Sequence, residues 1–357
     1  MNNLYTGGYK RYLLLPAAFF IIFLFLVLVS PGIKPGIDLK GGTSIILRSD
    51  TSLDKGALEK ALVGKYSLSE LKINSVSSPS GYGLNMEFSE EKDLARAQGL
   101  LGQAKAAFAS NPQNASSLAL QAIDAASKFA QAPDGSDTAT PEGALEAAGG
   151  AVAGAEESFN LGISQTITGT YGLGENLRIS QREVGATLGQ SFYSQGITAG
   201  LVGFVLVVII VFLFFREFIP GAAIIGALVF DIFGAMAMMA VLGIPATLST
   251  IPALLMLIGI SIDTDILLST RVLMRKDASA PQRAHDSMVT GLTMTAAQLA
   301  ALLAMMGLSY LWQIQVVFEI SIVLFFGVAA DILATWLMNA PVLLWYVERK
   351  AAKGASK

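Results

Sequence analysis

Long apolar runs constrain the fold of this 357-residue chain more than any other feature. Residues 12–29 and 196–215 carry no charge, and residues 218–270 carry only three. A helix needs about 20 apolar residues to cross the hydrocarbon of a bilayer, so the runs predict a polytopic α-helical membrane protein. Gly243-Ile244-Pro245 interrupts one run and separates two spans. The six predicted spans are residues 12–30, 195–215, 219–242, 251–271, 287–308 and 317–340, of which the last five form a bundle within 195–345.

The composition excludes several classes of protein. Charged residues make up 14% of the chain, against about 25% in a soluble domain, and 53% of residues are hydrophobic, which excludes global disorder. The formal net charge of −3 lacks the excess of basic residues that is typical of nucleic-acid binding. The absence of cysteine and the single histidine, His285, exclude a disulfide framework and a Cys/His metal site. With no Walker loop and no GxSxG motif, we expect no catalytic residues, cofactor or enzymatic activity.

Basic residues in the short loops predict the orientation of the spans. The loops 243–250 and 309–315 contain no Lys or Arg, whereas the alternate loops and both termini do. Short cytoplasmic loops are enriched in Lys and Arg, so the termini 1–11 and 346–357 are predicted to be cytoplasmic and residues 31–194 to lie outside. The first run has 18 uncharged residues, more than the 7–15 of a signal-peptide core, and is expected to be a retained anchor. The loop that contains His285 is basic, and this histidine is expected to be solvated.

The outer segment 31–194 has the pattern of a small α+β domain. Its predicted elements follow the order strand, helix, strand, strand, helix, strand, which is that of a ferredoxin-like domain. These elements are residues 37–48, 52–66, 71–75, 84–88, 90–108 and 176–184. An insertion at about 109–160 is rich in Ala, Ser, Gln and Gly; we predict a helical extension at 109–130 and a flexible linker at 131–155.

Acidic residues within the spans are the strongest functional signal. They are Asp231 in the third span, Asp263 and Asp265 in the fourth, and Glu319 and Asp331 in the sixth. A charge at the bilayer centre costs at least about 2.5–3.5 kcal/mol, and no Lys, Arg or His lies deep in any span. The acids must therefore be protonated, face a wet cavity or exchange protons. Glu319 lies near the outer boundary, where it is expected to snorkel toward the interface.

The positions of these acids suggest a proton path. Asp263 and Asp265 are about 200° apart around a helix, so they cannot both point at one partner. We therefore predict that the fourth span lies inside the bundle, with one Asp facing the third span and the other facing the sixth. A path could then pass through Asp231, Asp263, Asp265 and Asp331, with Arg271 as a cytoplasmic-side counter-ion. The alternative is that these acids are structural and form hydrogen bonds between helices.

Several sequence motifs resemble those of the SecD/SecF protein-export family, a branch of the resistance–nodulation–division transporters, and most closely its archaeal SecF type. The longest is ALLMLIGISIDTDILLSTR at 253–271. The others are GIDLKGGT at 36–43, VFD at 229–231, GIP at 243–245, TGLTMT at 290–295 and GVAAD at 327–331.

The resemblance implies a function in protein export across the cell (cytoplasmic) membrane. The expected partners are a SecD-like subunit, the Sec translocon channel, unfolded preprotein on the outer face and the lipid bilayer. Family members use the proton-motive force, and the third-span Asp of the family pattern falls on Asp231. Bacterial relatives carry an Asn-Asp pair at the positions of Asp263 and Thr264, where this chain has Asp-Thr-Asp. The rival interpretations are an exporter of lipids or small molecules and an assembly scaffold without proton coupling.

Overall fold

The chain divides into two compact units. A computed structural model describes residues 3–78, 81–89, 91–133, 135–172, 178–184, 186–275 and 277–355. The bundle unit comprises Met1–Leu39 and Leu188–Lys357, and the inserted unit comprises Lys40–Thr187.

In chain order, the elements of the inserted unit lie between the first and the later helices of the bundle unit. A 3₁₀ turn at Tyr9–Leu13 precedes the first helix, and a π-helical turn at Ala334–Asn339 joins the last two helices. The elements are α1 (Leu14–Leu28), α2 (Ile37–Lys40), β1 (Gly42–Ser49), α3 (Lys55–Lys65), β2 (Lys72–Ser78), β3 (Gly81–Phe88), α4 (Lys92–Ala107), α5 (Pro112–Ala126), α6 (Pro141–Tyr171), β4 (Arg178–Val184), α7 (Ala186–Phe215), α8 (Phe218–Leu242), α9 (Thr250–Met274), α10 (Ala280–Leu311), α11 (Gln315–Leu333) and α12 (Ala340–Ala355).

Six helices of the described chain are long and apolar enough to cross a membrane, as the sequence predicted. They are Tyr9–Leu28, Ser191–Phe215, Phe218–Leu242, Thr250–Met274, Ala280–Leu311 and Gln315–Ala352. The chain is thus a multi-pass membrane protein. The prediction that His285 is a solvated loop residue is wrong, because α10 begins at Ala280 with Pro281 in its first turn, and the histidine lies buried on this helix.

The inserted unit is built on a four-stranded sheet with the order β2-β3-β1-β4, and each neighbouring pair is antiparallel. One face of the sheet carries alternating buried side chains, such as Ile45, Leu47 and Met86, which pack with residues of α3 and α6 in one core. The predicted strand at 37–48 begins later, at Gly42. A Cβ at this glycine would lie 2.6 Å from the Phe88 carbonyl oxygen, so only glycine permits this approach of β1 to β3.

The predicted flexible linker at 131–155 is wrong for most of its length, because α6 runs unbroken over Pro141–Tyr171. The Thr140 side chain accepts a hydrogen bond from the backbone N–H of Gly143 and thereby caps this helix. The two helices of the insertion pack through buried alanines at helical spacing. These are Ala115, Ala119, Ala122 and Ala126 of α5, and Ala144, Ala148, Ala151 and Ala155 of α6. Side chains this small gave no bulky apolar pattern from which a packed helix could be predicted.

Candidate proton-transfer site

Three of the predicted carboxyl groups converge in the interior of the bundle unit. Asp231 of α8, Asp265 of α9 and Asp331 of α11 come from three different helices, and each is at most 2% exposed. The Ser261 hydroxyl lies between two of them, 2.5 Å from Asp231 Oδ2 and 3.3 Å from Asp331 Oδ1. This hydroxyl can donate to either carboxyl group, so it bridges α8 and α11 from its position on α9.

A second hydroxyl extends the chain of contacts to Asp265. Thr335 Oγ1 lies 2.9 Å from Asp331 Oδ1 and 3.0 Å from Asp265 Oδ1, and it can donate to either. Asn339 Nδ2 donates to Asp265 Oδ1 over 2.7 Å. Carboxyl and hydroxyl groups therefore alternate without interruption. We call the series Asp231, Ser261, Asp331, Thr335 and Asp265 the carboxyl row.

Some polar atoms of this region have no hydrogen-bond partner among the described residues. They include Asp231 Oδ1, Asp265 Oδ2, Ser269 Oγ and Asn339 Oδ1. The ion pairs found in the described part of the chain lie elsewhere, and none involves the three carboxyl groups. Buried carboxyl groups with free oxygens and no cation have the capacity to bind protons.

Two of the predicted site residues lie outside the carboxyl row. Asp263 is exposed on the surface of the bundle unit and has no partner among the described residues. The prediction that one Asp of the fourth span faces the third span is therefore wrong. Asp265 faces the sixth span, and because Asp263 lies about 200° from Asp265 around the helix, it points outward. Arg271 Nη1 donates to Thr290 Oγ1 over 2.9 Å and to the Asp286 carbonyl over 3.2 Å, so it pairs with α10.

Ser261, Thr335 and Asn339 also belong to the site but are not among the site residues predicted from the sequence. A signal was present, since Ser261 lies four residues before Asp265, and Thr335 and Asn339 lie four and eight residues after Asp331. Residues four apart share a helix face, so each polar stripe marked the inward face of its span. The π-helical turn that carries Thr335 and Asn339 has no comparable sequence signal.

Glu319 does not snorkel to an interface. It is 8% exposed and accepts hydrogen bonds from Thr247 Oγ1 and Gln315 Nε2, both over 2.9 Å. Thr247 belongs to the loop between α8 and α9, and the preceding Ala246 exchanges backbone hydrogen bonds with the segment 34–36. The carboxylate therefore fixes this loop to the start of α11, because the loop offers it a nearby hydroxyl donor.

The chain has six membrane-spanning helices, three of which bring carboxyl groups together in the interior, and a sheet-containing unit inserted after the first span. These features define a multi-pass membrane protein with a buried acidic site. The profile described as "Protein export membrane protein SecD/SecF, C-terminal" matches residues 163–349, and the profile of the SecD/SecF GG motif matches residues 26–52. The chain belongs to the SecD/SecF family of protein-export membrane proteins.

Similar proteins include archaeal proteins that are named protein-export membrane protein SecF. The relative from Methanocaldococcus jannaschii is 39% identical over 50% of this chain and 64% of its own length. The relative from Methanothermobacter thermautotrophicus is 28% identical over 96% of this chain and 93% of its own length. The crystal structure of SecDF, a translocon-associated membrane protein from Thermus thermophilus, has a similar fold, with a TM-score of 0.58 and 17% identity over 95% of this chain and 59% of that longer chain.

Proposed function

We propose that this chain is a SecF-type subunit of the Sec export machinery, which acts with a SecD-type subunit and the translocon channel to promote preprotein translocation across the cytoplasmic membrane. Membership of the SecD/SecF family and the names of the archaeal relatives support this function. In this proposal both termini are cytoplasmic, the inserted unit is outside, and the subunit is not an enzyme. It needs no cofactor other than protons as the coupling ion, and it has no nucleic-acid partner.

The inserted unit is proposed to be a ferredoxin-like domain that contacts unfolded preprotein. The strand order β2-β3-β1-β4, with antiparallel neighbours and helices between β1 and β2 and between β3 and β4, supports this classification.

The observation that carries proton coupling is the uninterrupted carboxyl row. Each hydroxyl of the row touches two carboxyl groups, so it can accept a proton from one and donate its own to the other. Two like charges 4 Å apart repel by about 4 kcal/mol at an effective dielectric constant of 20, so the three carboxyl groups cannot all be ionised together. If one conformation of the bundle binds a proton about tenfold more tightly than another, proton binding shifts the equilibrium toward that conformation by up to the same factor. Proton binding is thereby linked to movement.

The exposed Asp263 supports a SecD-type partner within the membrane. An uncovered carboxylate at this depth costs at least about 2.5–3.5 kcal/mol, so a protein surface with a hydrogen-bond donor must cover it. A second copy of this chain offers no Lys, Arg or His between residues 217 and 270, and two copies meeting at this face would bring Asp263 against itself. A different membrane subunit therefore fits better.

Asparagine substitutions within the row test the coupling. Asp265→Asn keeps the size of the side chain but removes the exchangeable proton. We expect proton-driven export into vesicles to fall at least about a hundredfold, the effect of losing a proton-transfer group, while co-purification with the SecD-type subunit is retained. Asp286→Asn is the matched control, because this exposed carboxyl accepts a side-chain hydrogen bond from Gln282 and no other within the described residues. Unchanged export in Asp265→Asn and Asp331→Asn would remove coupling and leave the scaffold interpretation.

A separate substitution tests the partner. If a partner donor covers Asp263, Asp263→Leu leaves that donor unpaired, and we expect less SecD-type subunit to co-purify. If this face meets lipid instead, leucine removes a charge from the hydrocarbon, so thermal stability rises and co-purification does not change. The two models therefore predict opposite results for one variant.

A further inference from the structure

The N-terminal segment Asn3–Leu13 is packed closely against the helices of the bundle unit. Tyr5 is 1% exposed and Tyr9 is 5% exposed. Both rings belong to an apolar cluster with side chains of α9, α10 and the last span.

A specific hydrogen bond attaches this segment to the π-helical turn. Tyr5 Oη donates to the Trp336 carbonyl oxygen over 3.0 Å, and both groups are buried. A π-helical turn interrupts the regular pattern of backbone hydrogen bonds in a helix, and such turns are frequent at functional sites. Asn3 Nδ2 makes a second attachment, to the Pro281 carbonyl oxygen over 3.2 Å at the start of α10.

The attached turn is the one that orients Asp265. Thr335 precedes Trp336 in the turn and Asn339 ends it; Asn339 Nδ2 donates to Asp265 Oδ1, and Thr335 Oγ1 lies within hydrogen-bond distance of the same oxygen. The Tyr5 hydroxyl is therefore bonded to a backbone carbonyl of the same turn that carries the two side chains next to the Asp265 carboxyl group.

The segment also covers the row on the side of the termini. Leu268, about one helical turn beyond Asp265 toward the end of α9, is fully buried in the same cluster as Tyr5 and Leu343. These side chains form an apolar layer between the end of the bundle and the row. Near this layer lie Ser269 Oγ and Asn339 Oδ1, buried polar atoms without a partner among the described residues.

We propose that the N-terminal segment is the closure at the cytoplasmic end of the proton path, and that Tyr5 is a positioning residue that holds it shut through the π-helical turn. The proposal rests on the proposed function, because it assigns the entrance to the same carboxyl row. Release of the Tyr5 hydroxyl frees the Trp336 carbonyl, loosens the turn, and opens the layer between the cytoplasm and Asp265. Proton exchange with that side then becomes possible.

Tyr5→Phe tests this closure, because it keeps the ring and removes only the hydroxyl. The full chain, co-purified with its SecD-type subunit, is reconstituted in proteoliposomes that contain a pH-sensitive dye, and proton uptake is driven by a potassium diffusion potential. We expect uptake at rest to be about fivefold faster in Tyr5→Phe, which corresponds to about 1 kcal/mol for one lost hydrogen bond. Tyr12→Phe is the matched control, since the Tyr12 hydroxyl makes no hydrogen bond within the described residues.

Two further measurements identify the path. Hydrogen exchange of backbone amides in the segment 334–340 should accelerate in Tyr5→Phe and stay unchanged in Tyr12→Phe. In the double variant Tyr5→Phe, Asp265→Asn, uptake should fall to the wild-type level or below it, because protons that enter through the opened closure meet a row that no longer transfers them. If Tyr5→Phe is too unstable to purify, Asn3→Ala removes the other attachment and should also accelerate uptake.

The outcomes separate this inference from the proposed function. Wild-type uptake and wild-type exchange in Tyr5→Phe would overturn the closure, even if Asp265→Asn abolishes export. Fast uptake that persists in the double variant would also overturn it, because the protons would then bypass the row. Unchanged export in Asp265→Asn alone counts against coupling and not against the attachment of the N-terminal segment.

Discussion

Gly291 of α10 gives a sharp test of the packing that supports the site. A Cβ at this position would lie 2.2 Å from Cζ2 and 2.8 Å from Cη2 of the Trp336 ring, distances that real Cβ atoms do not show. The ring is 2% exposed and belongs to the same cluster as Tyr5 and Met288, so it has no free space to enter. Gly291→Ala must therefore separate α10 from the π-helical turn by about 1 Å to restore ordinary contact.

The expected magnitude follows from two opposing effects. Overpacking in a close-packed interior costs about 1–3 kcal/mol, and alanine in place of glycine regains up to about 1 kcal/mol in a helix. We expect a net loss of about 1–2 kcal/mol, or a decrease of roughly 2–6 °C in Tm for a chain of this size. Thermal unfolding in one detergent measures it. Gly307→Ala on the same helix is the control, because its Cβ would meet nothing within 4 Å and its Tm should not fall.

A double-mutant cycle identifies the clash itself. Phenylalanine lacks both indole atoms that approach Gly291, so Trp336→Phe should remove most of the cost of Gly291→Ala. If Gly291→Ala is as stable as Gly307→Ala, or if its cost is the same with phenylalanine at position 336, the argument from close approach of these two helices is wrong.

Three further predictions concern other parts of the molecule. Phe159→Ala should lower the free energy of unfolding of the inserted unit by about 3–5 kcal/mol, because the ring packs edge-on against three aromatic rings. Leu161→Ala, at an exposed position, should change it by less than about 0.5 kcal/mol, and hydrogen exchange measures both effects. A hydrogen bond from Lys40 keeps the pKa of the Glu70 carboxyl below its usual value, so its stabilisation is present at neutral pH and lost as the pH falls through that lowered value. Because the pair is largely exposed, Glu70→Gln should cost less than about 1 kcal/mol at pH 7, and this cost should shrink as the pH falls through the lowered pKa of Glu70, as followed by thermal unfolding. Ser261→Ala should slow proton uptake by about tenfold or more, because it leaves the carboxyl groups on both sides unbridged, and Ser261→Thr, which retains the hydroxyl, should not; wild-type uptake in Ser261→Ala would contradict a continuous row.

The six spans could be predicted because each requires about 20 apolar residues, a pattern that depends on length and composition alone. The side of each span that faces inward was harder to predict than the spans themselves. The fourth span is apolar around most of its circumference, so hydropathy alone does not separate the side of Asp263 from that of Asp265, and only the spacing of Ser261 and Asp265 marks the inward side. Its orientation is set by packing, for example by the close approach of Leu257 to Gly327, where a Cβ would lie 2.4 Å from the leucine.

The other failures of prediction have related causes. Alanine and glycine give no bulky apolar period, so the sequence predicts a linker where α6 lies, although alanine has the highest intrinsic helix propensity. The charges around His285 predict a cytoplasmic loop, but charge does not define where a helix begins. The π-helical turn depends on one extra residue per turn, which leaves no mark in the sequence around Trp336.

The alanine seam between α5 and α6 has a thermodynamic consequence. Methyl groups at positions such as Ala119 and Ala148 bring helix backbones close together, but each removes little apolar surface from water on folding. The heat-capacity increment of unfolding scales with the apolar surface that unfolding exposes to water. For the helical half of the inserted unit, this increment should therefore be lower than the typical value of about 12–15 cal/mol/K per residue. A small increment flattens the dependence of stability on temperature. This part of the protein is therefore expected to keep similar stability across a wide range of growth temperatures.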